Sequence, residues 1–238
     1  MPRIVTYNVR RCVGLDRGQS PDRIARVLRA CKADVIGLQE IDVMPGRAGD
    51  QVAAIASALG MSHHFFPAVC FAGYRYGIAL LTDRPCRLVK AAHLPRAGKL
   101  EPRGAVWAAV EIDGVEVQVI NTHLGLGGRE RLAQAEALLG QDWLGHPDCR
   151  EPRILIGDLN ATPMSRAYKR LAQGPLRDAQ TLLERPPQGT YPNALPVLRI
   201  DHVWLGSALK AVDARVPRDP LARVASDHLP LVVEFGFG

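Results

Sequence analysis

Several short apolar runs in this 238-residue chain end in an acidic, amide or imidazole side chain. Each run has the length of a buried β-strand, and the polar group at its end leaves the core at a fixed point of a rigid scaffold. Buried strands that share a sheet edge bring their terminal side chains together. The residues placed in this way are Asn8, Glu40, His123, Asp158, Asn160, Asp201, Asp227 and His228.

Strand patterns outnumber helical patterns along the chain. Apolar runs and alternation predict strands over residues 4–9, 34–40, 76–81, 87–93, 105–112, 115–122, 153–157, 200–205, 209–216 and 229–235. Helical spacing predicts helices over residues 20–32, 50–59 and 129–144. Asp113-Gly114 is a hairpin turn signal between two of the strands. Together these elements predict an α+β fold of packed sheets with helices outside, as a single domain over residues 1–238.

The net charge of +6 and a pI near 9.3 restrict the range of partners. This balance suits a polyanionic substrate, and it equally fits a solvated arginine-rich surface, because no run of five like charges occurs. No apolar stretch is long enough to predict a transmembrane segment. Five widely spaced cysteines form no CxxC pair, which favours free thiols. The first strand begins almost at once, and the expected location is the cytoplasm.

Several carboxylates at one sheet edge would repel each other. Such a group is tolerable only where a cation or a hydrogen-bonded histidine compensates the charge. Asp201 is followed directly by His202, and alternation along a strand sends the two side chains to opposite faces. We assign Asp201 to the site and His202 to its surroundings.

Six strings in order along residues 4 to 235 carry a family resemblance: TYNV, LQE, NTHLG, GDLNATP, RIDHVW and SDHLPL. They resemble the endonuclease/exonuclease/phosphatase superfamily, which contains DNase-I-like nucleases, neutral sphingomyelinases, inositol polyphosphate phosphatases and deadenylases. The resemblance implies a four-layer α/β/β/α sandwich, in which two mixed, mainly antiparallel sheets pack face to face between helices. It also implies a Mg²⁺ ion and a water molecule that attacks phosphorus.

The resemblance assigns a role to each matching residue on the metal and water side. Glu40 resembles the principal metal carboxylate, with Asn8 assisting and Asp227 as a further metal ligand. These hard ligands suit Mg²⁺ or Mn²⁺ and include no thiolate. Asp158 resembles the residue that orients or deprotonates the attacking water, and Asn160 would donate to a phosphoryl oxygen.

Two histidines complete the catalytic set that the resemblance implies. His228 resembles the histidine that contacts the scissile phosphate, with Asp201 as the carboxylate that fixes its tautomer. His123 resembles the histidine that stabilises charge near the leaving group. Arg103 occupies a position where many members carry an arginine, which could hold the substrate phosphate through two hydrogen bonds.

Simpler interpretations of the same residues stay open at this point. GDLN and DHLP are also turn sequences, and Asn8 could cap local backbone. His123 could be a buried histidine with ordinary packing partners. Arg103 could form a surface salt bridge.

The motif variants favour one branch of the superfamily. Arg10 and the Ile41-Asp42 pair depart from the pattern of abasic-site endonucleases, and the chain resembles small bacterial metal-dependent hydrolases. We therefore predict a metal-dependent phosphoester hydrolase of phosphodiesterase type, acting on a lipid headgroup or another small phosphoester. A nuclease acting on DNA or RNA is the alternative, and a non-catalytic binding module is a further one. No obligate protein partner is evident.

Overall fold

The apolar runs form strands of two sheets in the computed structural model, which describes residues 1–44 and 49–238. These residues form twelve strands: β1 (Arg3–Asn8), β2 (Val35–Val43), β3 (Ser62–Phe71), β4 (Tyr74–Thr82), β5 (Cys86–His93), β6 (Gly104–Ile112), β7 (Val115–His123), β8 (Arg153–Asp158), β9 (Arg177–Asp178), β10 (Asp201–Leu205), β11 (Leu209–Arg215) and β12 (Leu231–Phe237). Their order is β11-β12-β1-β2-β4-β3 in the first sheet and β5-β6-β7-β8-β10-β9 in the second.

Each sheet has one parallel strand pair near its centre, and its other pairings are antiparallel. The parallel pairs are β1 with β2 and β7 with β8. A parallel pair ends at one edge of its sheet, so side chains that follow both strands emerge side by side. The sheets pack face to face, with β1 and β2 against β7 and β8. Both parallel pairs therefore contribute to the site described below.

Helices cover the outer faces of the sandwich. The helices are α1 (Pro21–Cys31), α2 (Gln51–Leu59), α3 (Gly128–Leu139), α4 (Arg166–Ala172) and the short α5 (Ala222–Ala225). Apolar side chains of α1 and α2 join the core of the first sheet, whereas those of α3 and α4 pack on Trp107 and Trp204 of the second. The predicted four-layer α/β/β/α fold is therefore confirmed. None of the helices in the described residues is long and apolar enough to span a membrane.

Local signals fixed the helix ends where the sequence offered them. Ser20 caps α1 by accepting a hydrogen bond from the Arg23 backbone N–H, and Pro21 is the first residue of that helix. Asp50 caps α2 in the same way, and Gly60 ends it in the left-handed conformation, with φ 70°. Both helices begin and end close to the predicted bounds.

Five elements differ from the prediction, of which β9 and α5 are short segments of two and four residues. The helix predicted over residues 129–144 ends at Leu139, because Gly140 stops it and the chain continues in turns that bury Trp143 and Leu144. Strand β3 was not predicted, since it is an edge strand interrupted by a bulge at Pro67 and lacks apolar alternation. Helix α4 has only seven residues, too few for a helical period to stand out.

Candidate active site

The predicted site residues lie where the two parallel strand pairs end. In the second sheet, His123, Asp158 and Asp201 occupy one row across β7, β8 and β10. In the first sheet, Asn8 ends β1 and Glu40 lies on the adjacent β2. Packing of the two sheets face to face brings these groups to one edge of the sandwich.

Asn8 joins the two halves of this cluster. Its Nδ2 donates to Glu40 Oε1 at 3.0 Å and to Asp158 Oδ2 at 2.9 Å. Its Oδ1 accepts from the Arg10 backbone N–H at 3.1 Å, so the side chain also caps local backbone. One fully buried amide therefore holds carboxylates from both sheets within hydrogen-bonding reach of a single nitrogen.

Glu40 stands in a strained backbone conformation. It has a φ of 56°, and the β2–β4 register shifts between its neighbours Gln39 and Ile41. Both neighbours are buried, whereas Glu40 is only partly buried, so the bulge turns this carboxylate out of the core. A left-handed conformation costs about 1–3 kcal/mol for a non-glycine residue and is concentrated at functional sites.

The GDLN string forms a turn and also delivers Asp158 to the site. Asn160 has a φ of 47°, and its backbone N–H donates to Asp158 Oδ1 at 2.9 Å. Its side-chain Nδ2 donates to the Leu124 carbonyl at 3.0 Å, which ties the turn to the end of β7. A side chain at Gly157 would bring Cβ to 2.0 Å from the Thr122 carbonyl oxygen, so only glycine fits here.

His228 is paired with a carboxylate behind it. Its Nδ1–H donates to Asp201 Oδ2 at 2.8 Å, and that oxygen also accepts from the Thr190 hydroxyl. Its Nε2 lies 3.8 Å from Asp158 Oδ2. Burial opposes the imidazolium charge, but the negative charges of Asp201 and Asp158 prevail and raise the pKa of His228 to about 10. His228 is therefore positively charged near neutral pH.

Asp158 is the central carboxylate of the cluster, and it is 1% exposed. Burial and the nearby charge of Asp201 raise the pKa of Asp158 to about 6, against the opposing effects of His228 and the Asn8 hydrogen bond. A carboxylate with a pKa near 6 is ionised at neutral pH and still accepts a proton readily. This combination suits a general base.

His123 approaches Asp158 from the other side. Its Nδ1 lies 3.0 Å from Arg103 Nη1, and since arginine has no acceptor, this nitrogen accepts the hydrogen bond. The proton of the neutral imidazole is then on Nε2, which lies 3.5 Å from Asp158 Oδ2 as its acceptor. Asn160 Nδ2, 3.1 Å from the same nitrogen, is itself a donor and forms no hydrogen bond with it in this tautomer. Burial, Arg103 and His228 all lower the pKa of His123 well below its ordinary value, so this ring is neutral.

Arg103 has partners that the sequence did not indicate. It is 8% exposed, and its Nη1 also pairs with Glu101 Oε1 at 2.8 Å. The guanidinium thus lies behind His123, and its Nε is buried without a hydrogen-bond partner among the described residues. The phosphate-binding role of Arg103 stays a prediction, alongside the positioning of His123 that these contacts support.

Asp227 lies beside the cluster. Its carboxylate pairs with Arg10 Nε at 3.5 Å and lies 3.3 Å from the neighbouring Ser226 hydroxyl oxygen. The same hydroxyl lies 2.8 Å from the Asn8 carbonyl oxygen, to which it donates. Asp227 therefore connects to the site through Arg10 and Ser226, and its predicted role as a metal ligand stays a prediction.

Polar residues inside the strands support the site and were not assigned a role from the sequence. Asn121 is fully buried and donates across the sandwich to the carbonyls of Leu38 and Ala79, and its Oδ1 accepts from Gln39 Nε2 at 2.8 Å. These bonds join the sheets next to the bulge at Glu40. The sequence signal for this role was a polar residue inside an otherwise apolar string: Gln39 in LQE and Asn121 in NTH.

The loop before β10 also contributes to the site. Tyr191 packs its ring on His228, with the ring centroids 4.7 Å apart. Thr190 donates to Asp201, and the Asn193 backbone N–H donates to the Asp227 carbonyl. His202 faces away from this loop and pairs with Asp178, so alternation separates it from Asp201 as predicted.

The donor set fits a hard divalent cation. Among the described residues, Glu40 accepts a single side-chain hydrogen bond, from Asn8, which leaves carboxylate lone pairs open. Asp158, Asp201 and His228 also place potential ligand atoms within 4.8 Å of one another. The mutual hydrogen bond of Asp201 and His228 already accounts for that contact. Glu40 is therefore the better candidate for a hard divalent cation, whereas Asn8 turns its amide nitrogen toward Glu40 and its Oδ1 toward the Arg10 backbone, so its role as a metal ligand stays a prediction.

Comparison with known proteins agrees with this geometry. The uncharacterized protein YbhP of Escherichia coli strain K12 is 28% identical over 136 residues, which span 56% of this chain and 53% of that protein. The crystal structure of an endonuclease/exonuclease/phosphatase from Beutenbergia cavernae matches 100% of this chain and 72% of its own, with a TM-score of 0.83 and 26% identity.

The human Nocturnin catalytic domain, solved with a bound sulfate anion, has a TM-score of 0.76 and 25% identity. That match covers 100% of this chain and 94% of the Nocturnin chain. The sequence profile of the Endonuclease/Exonuclease/phosphatase family matches residues 5–228, which include every predicted site residue. The chain belongs to the Endonuclease/Exonuclease/phosphatase family.

Proposed function

We propose that this protein is a divalent-metal-dependent phosphodiesterase that cleaves P–O bonds by attack of water. The observation that carries this proposal is the placement of Asp158 between a charged histidine and a neutral one, with Glu40 held next to it through Asn8. A base, a cationic donor and an open carboxylate within one cluster are what in-line hydrolysis of a phosphate ester requires.

Asp158 activates the attacking water in this proposal. Its Oδ1 accepts from the Asn160 backbone and its Oδ2 from Asn8, so the carboxylate is fixed in one orientation. It removes a proton from water as the water oxygen bonds to phosphorus. The bond from phosphorus to the ester oxygen of the leaving group then breaks, and the departing oxygen takes a proton from solvent while Asp158 releases the proton that it removed. The products are a phosphomonoester and an alcohol.

The two histidines and Asn160 stabilise the charge that develops on the phosphoryl group. His228 carries a positive charge and presents Nε2–H toward Asp158, where a phosphoryl oxygen would bind. His123 presents a neutral Nε2–H from the other side. A divalent cation held by Glu40 and Asn8 would neutralise phosphoryl charge and act as a Lewis acid. Asp227 is the further residue placed on this side.

The test is hydrolysis of bis-(p-nitrophenyl) phosphate with Mg²⁺ or Mn²⁺. We expect turnover that EDTA abolishes and that Glu40→Gln reduces by at least about 10²-fold, as for the loss of one strong electrostatic contact. Glu111→Gln is the matched control, since Glu111 is an exposed carboxylate near the hairpin turn between β6 and β7. Turnover that is unaffected by EDTA and by Glu40→Gln would contradict the proposal.

A nuclease is the second candidate, and the net charge of +6 favours it. Binding to DNA or RNA would then weaken steeply as salt rises, because each neutralised phosphate releases counterions. Cleavage of plasmid DNA with that salt dependence would support the nuclease. Binding of phosphoesters without turnover would instead support a non-catalytic module. The cytoplasmic location and the single domain over residues 1–238 stay predictions.

A further inference from the structure

Loops around the candidate site carry large apolar side chains that point into solvent. The exposed fractions are 73% for Leu126, 78% for Met164, 68% for Leu195, 64% for Val197 and 77% for Phe71. Single exposed apolar residues are common on protein surfaces, but a group on adjacent loops at one edge marks an interaction surface. With Leu100, which is 46% exposed, we call this set the apolar rim.

Chain connectivity places the apolar rim beside the active site. Leu126 follows His123 by three residues, and Met164 follows Asn160 by four, which is within about 15 Å along the chain. Leu100 lies against the loop of Leu126, and both line a small cavity of about 60 Å³ next to Arg103.

The remaining members of the rim are held at the same edge. Leu195 and Val197 belong to the loop in which Asn193 binds the Asp227 carbonyl and Tyr191 packs on His228. Phe71 ends β3 at the turn into β4, and β4 begins opposite the end of β2, beyond Glu40. Six side chains on five loops thus surround the entrance to the site.

The other exposed apolar residues give a contrast. Leu88 and Val212 are each 43% exposed. They lie on the edge strands β5 and β11, and neither follows a site residue. They are isolated positions of the kind that most surfaces contain. The members of the rim, in contrast, lie on loops next to the site.

Basic side chains alternate with the apolar ones on these loops. Lys99 precedes Leu100, Arg129 follows Leu126 by three residues, and Arg166 follows Met164 by two. All three basic side chains are exposed, and none forms a salt bridge with a residue in the part of the chain that the structure describes. Exposed apolar side chains next to basic side chains without salt bridges suit a binding surface in which a layer of anionic groups covers an apolar interior.

We propose that the apolar rim docks on an anionic lipid bilayer. Leucine, methionine, valine and phenylalanine side chains would enter the boundary between headgroups and acyl chains, and Lys99, Arg129 and Arg166 would meet lipid phosphates. A single-strand nucleic acid groove would need aromatic platforms for stacking, whereas most of this rim is aliphatic. The inference rests on the proposed function, since docking would present lipid phosphoesters to Asp158 and His228.

The experiment is co-sedimentation with phosphatidylcholine vesicles that contain or lack phosphatidylglycerol, performed in EDTA. We expect the protein to bind the anionic vesicles, and the double variant Leu126→Glu/Met164→Glu to lose at least about tenfold in affinity, since two apolar insertions become repulsive. Leu88→Glu/Val212→Glu is the matched control and should bind as the unaltered protein does. Added salt should weaken binding because the attraction between charges is screened.

The outcomes separate this inference from the proposed function. Hydrolysis of bis-(p-nitrophenyl) phosphate in solution should be the same in the unaltered protein and both double variants, because no substituted residue touches the catalytic cluster. Vesicle binding without hydrolysis would leave the docking surface intact and remove the phosphodiesterase. Equal binding by both double variants, no binding to anionic vesicles, or binding to DNA alone would overturn the docking surface.

Discussion

Two histidines face the same carboxylate of this site from opposite sides. His228 Nε2 lies 3.8 Å from Asp158 Oδ2, and His123 Nε2 lies 3.5 Å from the same oxygen. Behind His228 stands the carboxylate of Asp201, and behind His123 stands the guanidinium of Arg103. The pKa of His228 is raised to about 10, whereas that of His123 is lowered well below its ordinary value.

The difference shows that the residue behind an imidazole determines what the imidazole can do. An acceptor behind Nδ1 fixes a proton there and stabilises the imidazolium, so His228 can balance negative charge on a phosphoryl group. A cationic donor behind Nδ1 excludes the imidazolium, so His123 contributes a neutral N–H and no charge. We therefore expect the two histidines to differ in their importance for catalysis.

The largest effect is expected from replacing the charged histidine. His228→Ala should lower kcat for bis-(p-nitrophenyl) phosphate by about 10³–10⁴-fold, because the site loses its cationic donor. His123→Ala should lower kcat by only about 10²-fold, since a neutral hydrogen-bond donor is lost. Steady-state kinetics on both variants at saturating Mg²⁺ measure the ratio.

His146→Ala is the control for this pair, because His146 is a partly exposed histidine that packs on Trp107 far from the cluster. It should leave kcat unchanged. Equal losses of kcat in His228→Ala and His123→Ala would contradict this expectation. They would indicate that the charge of the imidazole does not determine its contribution to catalysis.

A smaller loss with a characteristic pH signature is expected from Asp201→Asn. Activity requires Asp158 without its proton and His228 with its proton, so the rate should rise through about pH 6 and fall through about pH 10. Asp201→Asn removes the carboxylate that most strongly raises the pKa of His228, so the alkaline limb should move to lower pH, with kcat at neutral pH reduced by about 10²-fold. The acid limb should also move to lower pH, because the charge of Asp201 contributes to the raised pKa of Asp158.

The full profile of kcat against pH in both proteins tests this expectation. An alkaline limb that keeps its position in Asp201→Asn would show that His228 does not titrate through that carboxylate. Thr190→Val provides a milder comparison, since it removes only the hydroxyl that donates to Asp201. It should move the same limb by less.

A double-mutant comparison distinguishes the two roles considered for Arg103. If Arg103 positions His123, then Arg103→Gln should lower kcat by about tenfold, and Arg103→Gln/His123→Ala should be no worse than His123→Ala alone. If it holds the substrate phosphate, KM should rise and the two losses should multiply. Arg96→Gln is the control, as an exposed arginine of the preceding loop.

The sequence predicted more of the site than of the contacts behind it. Asn8, His123 and Asp158 end their strands, Glu40 lies at the bulge inside β2 and Asp201 begins β10. The positions could be predicted because the end of an apolar run is a local feature of the sequence. Ser20 and Gly60 mark helix ends for the same reason. Strand β3 was not predicted, because its packing depends on β4 and not on its own alternation.

The partner of each side chain could not be predicted in the same way. Arg103 and His123 are 20 residues apart, and Asn8 and Asp158 are 150 apart, so only the assembled sandwich decides which groups meet. The histidine of NTHLG, His123, is therefore neutral, whereas the histidine of SDHLPL, His228, is charged. Residue type is local information, whereas charge state depends on tertiary contacts.

The smallest expected effect concerns stability and involves the carboxylate that both histidines share. The pKa of Asp158 in the folded protein is raised to about 6, above its value in an unfolded chain, so ionising this group opposes folding. That cost is absent below about pH 4, grows as pH rises through the interval up to about 6, and is complete above it. Asp158→Asn should therefore raise the free energy of unfolding by about 3 kcal/mol at pH 8.

Urea unfolding in EDTA at pH 8 and pH 4 measures this effect without a cation that would offset the charge. We expect most of the stabilisation at pH 8 to vanish at pH 4, where the carboxyl group is protonated in the folded protein and about half ionised in the unfolded chain. A variant that is less stable at pH 8 would mean that attraction to His228 outweighs the cost of burying the charge. Asp158 and His228 would then form a structural ion pair. The charged His228 and the neutral His123 would differ in their contribution to stability as well as to catalysis.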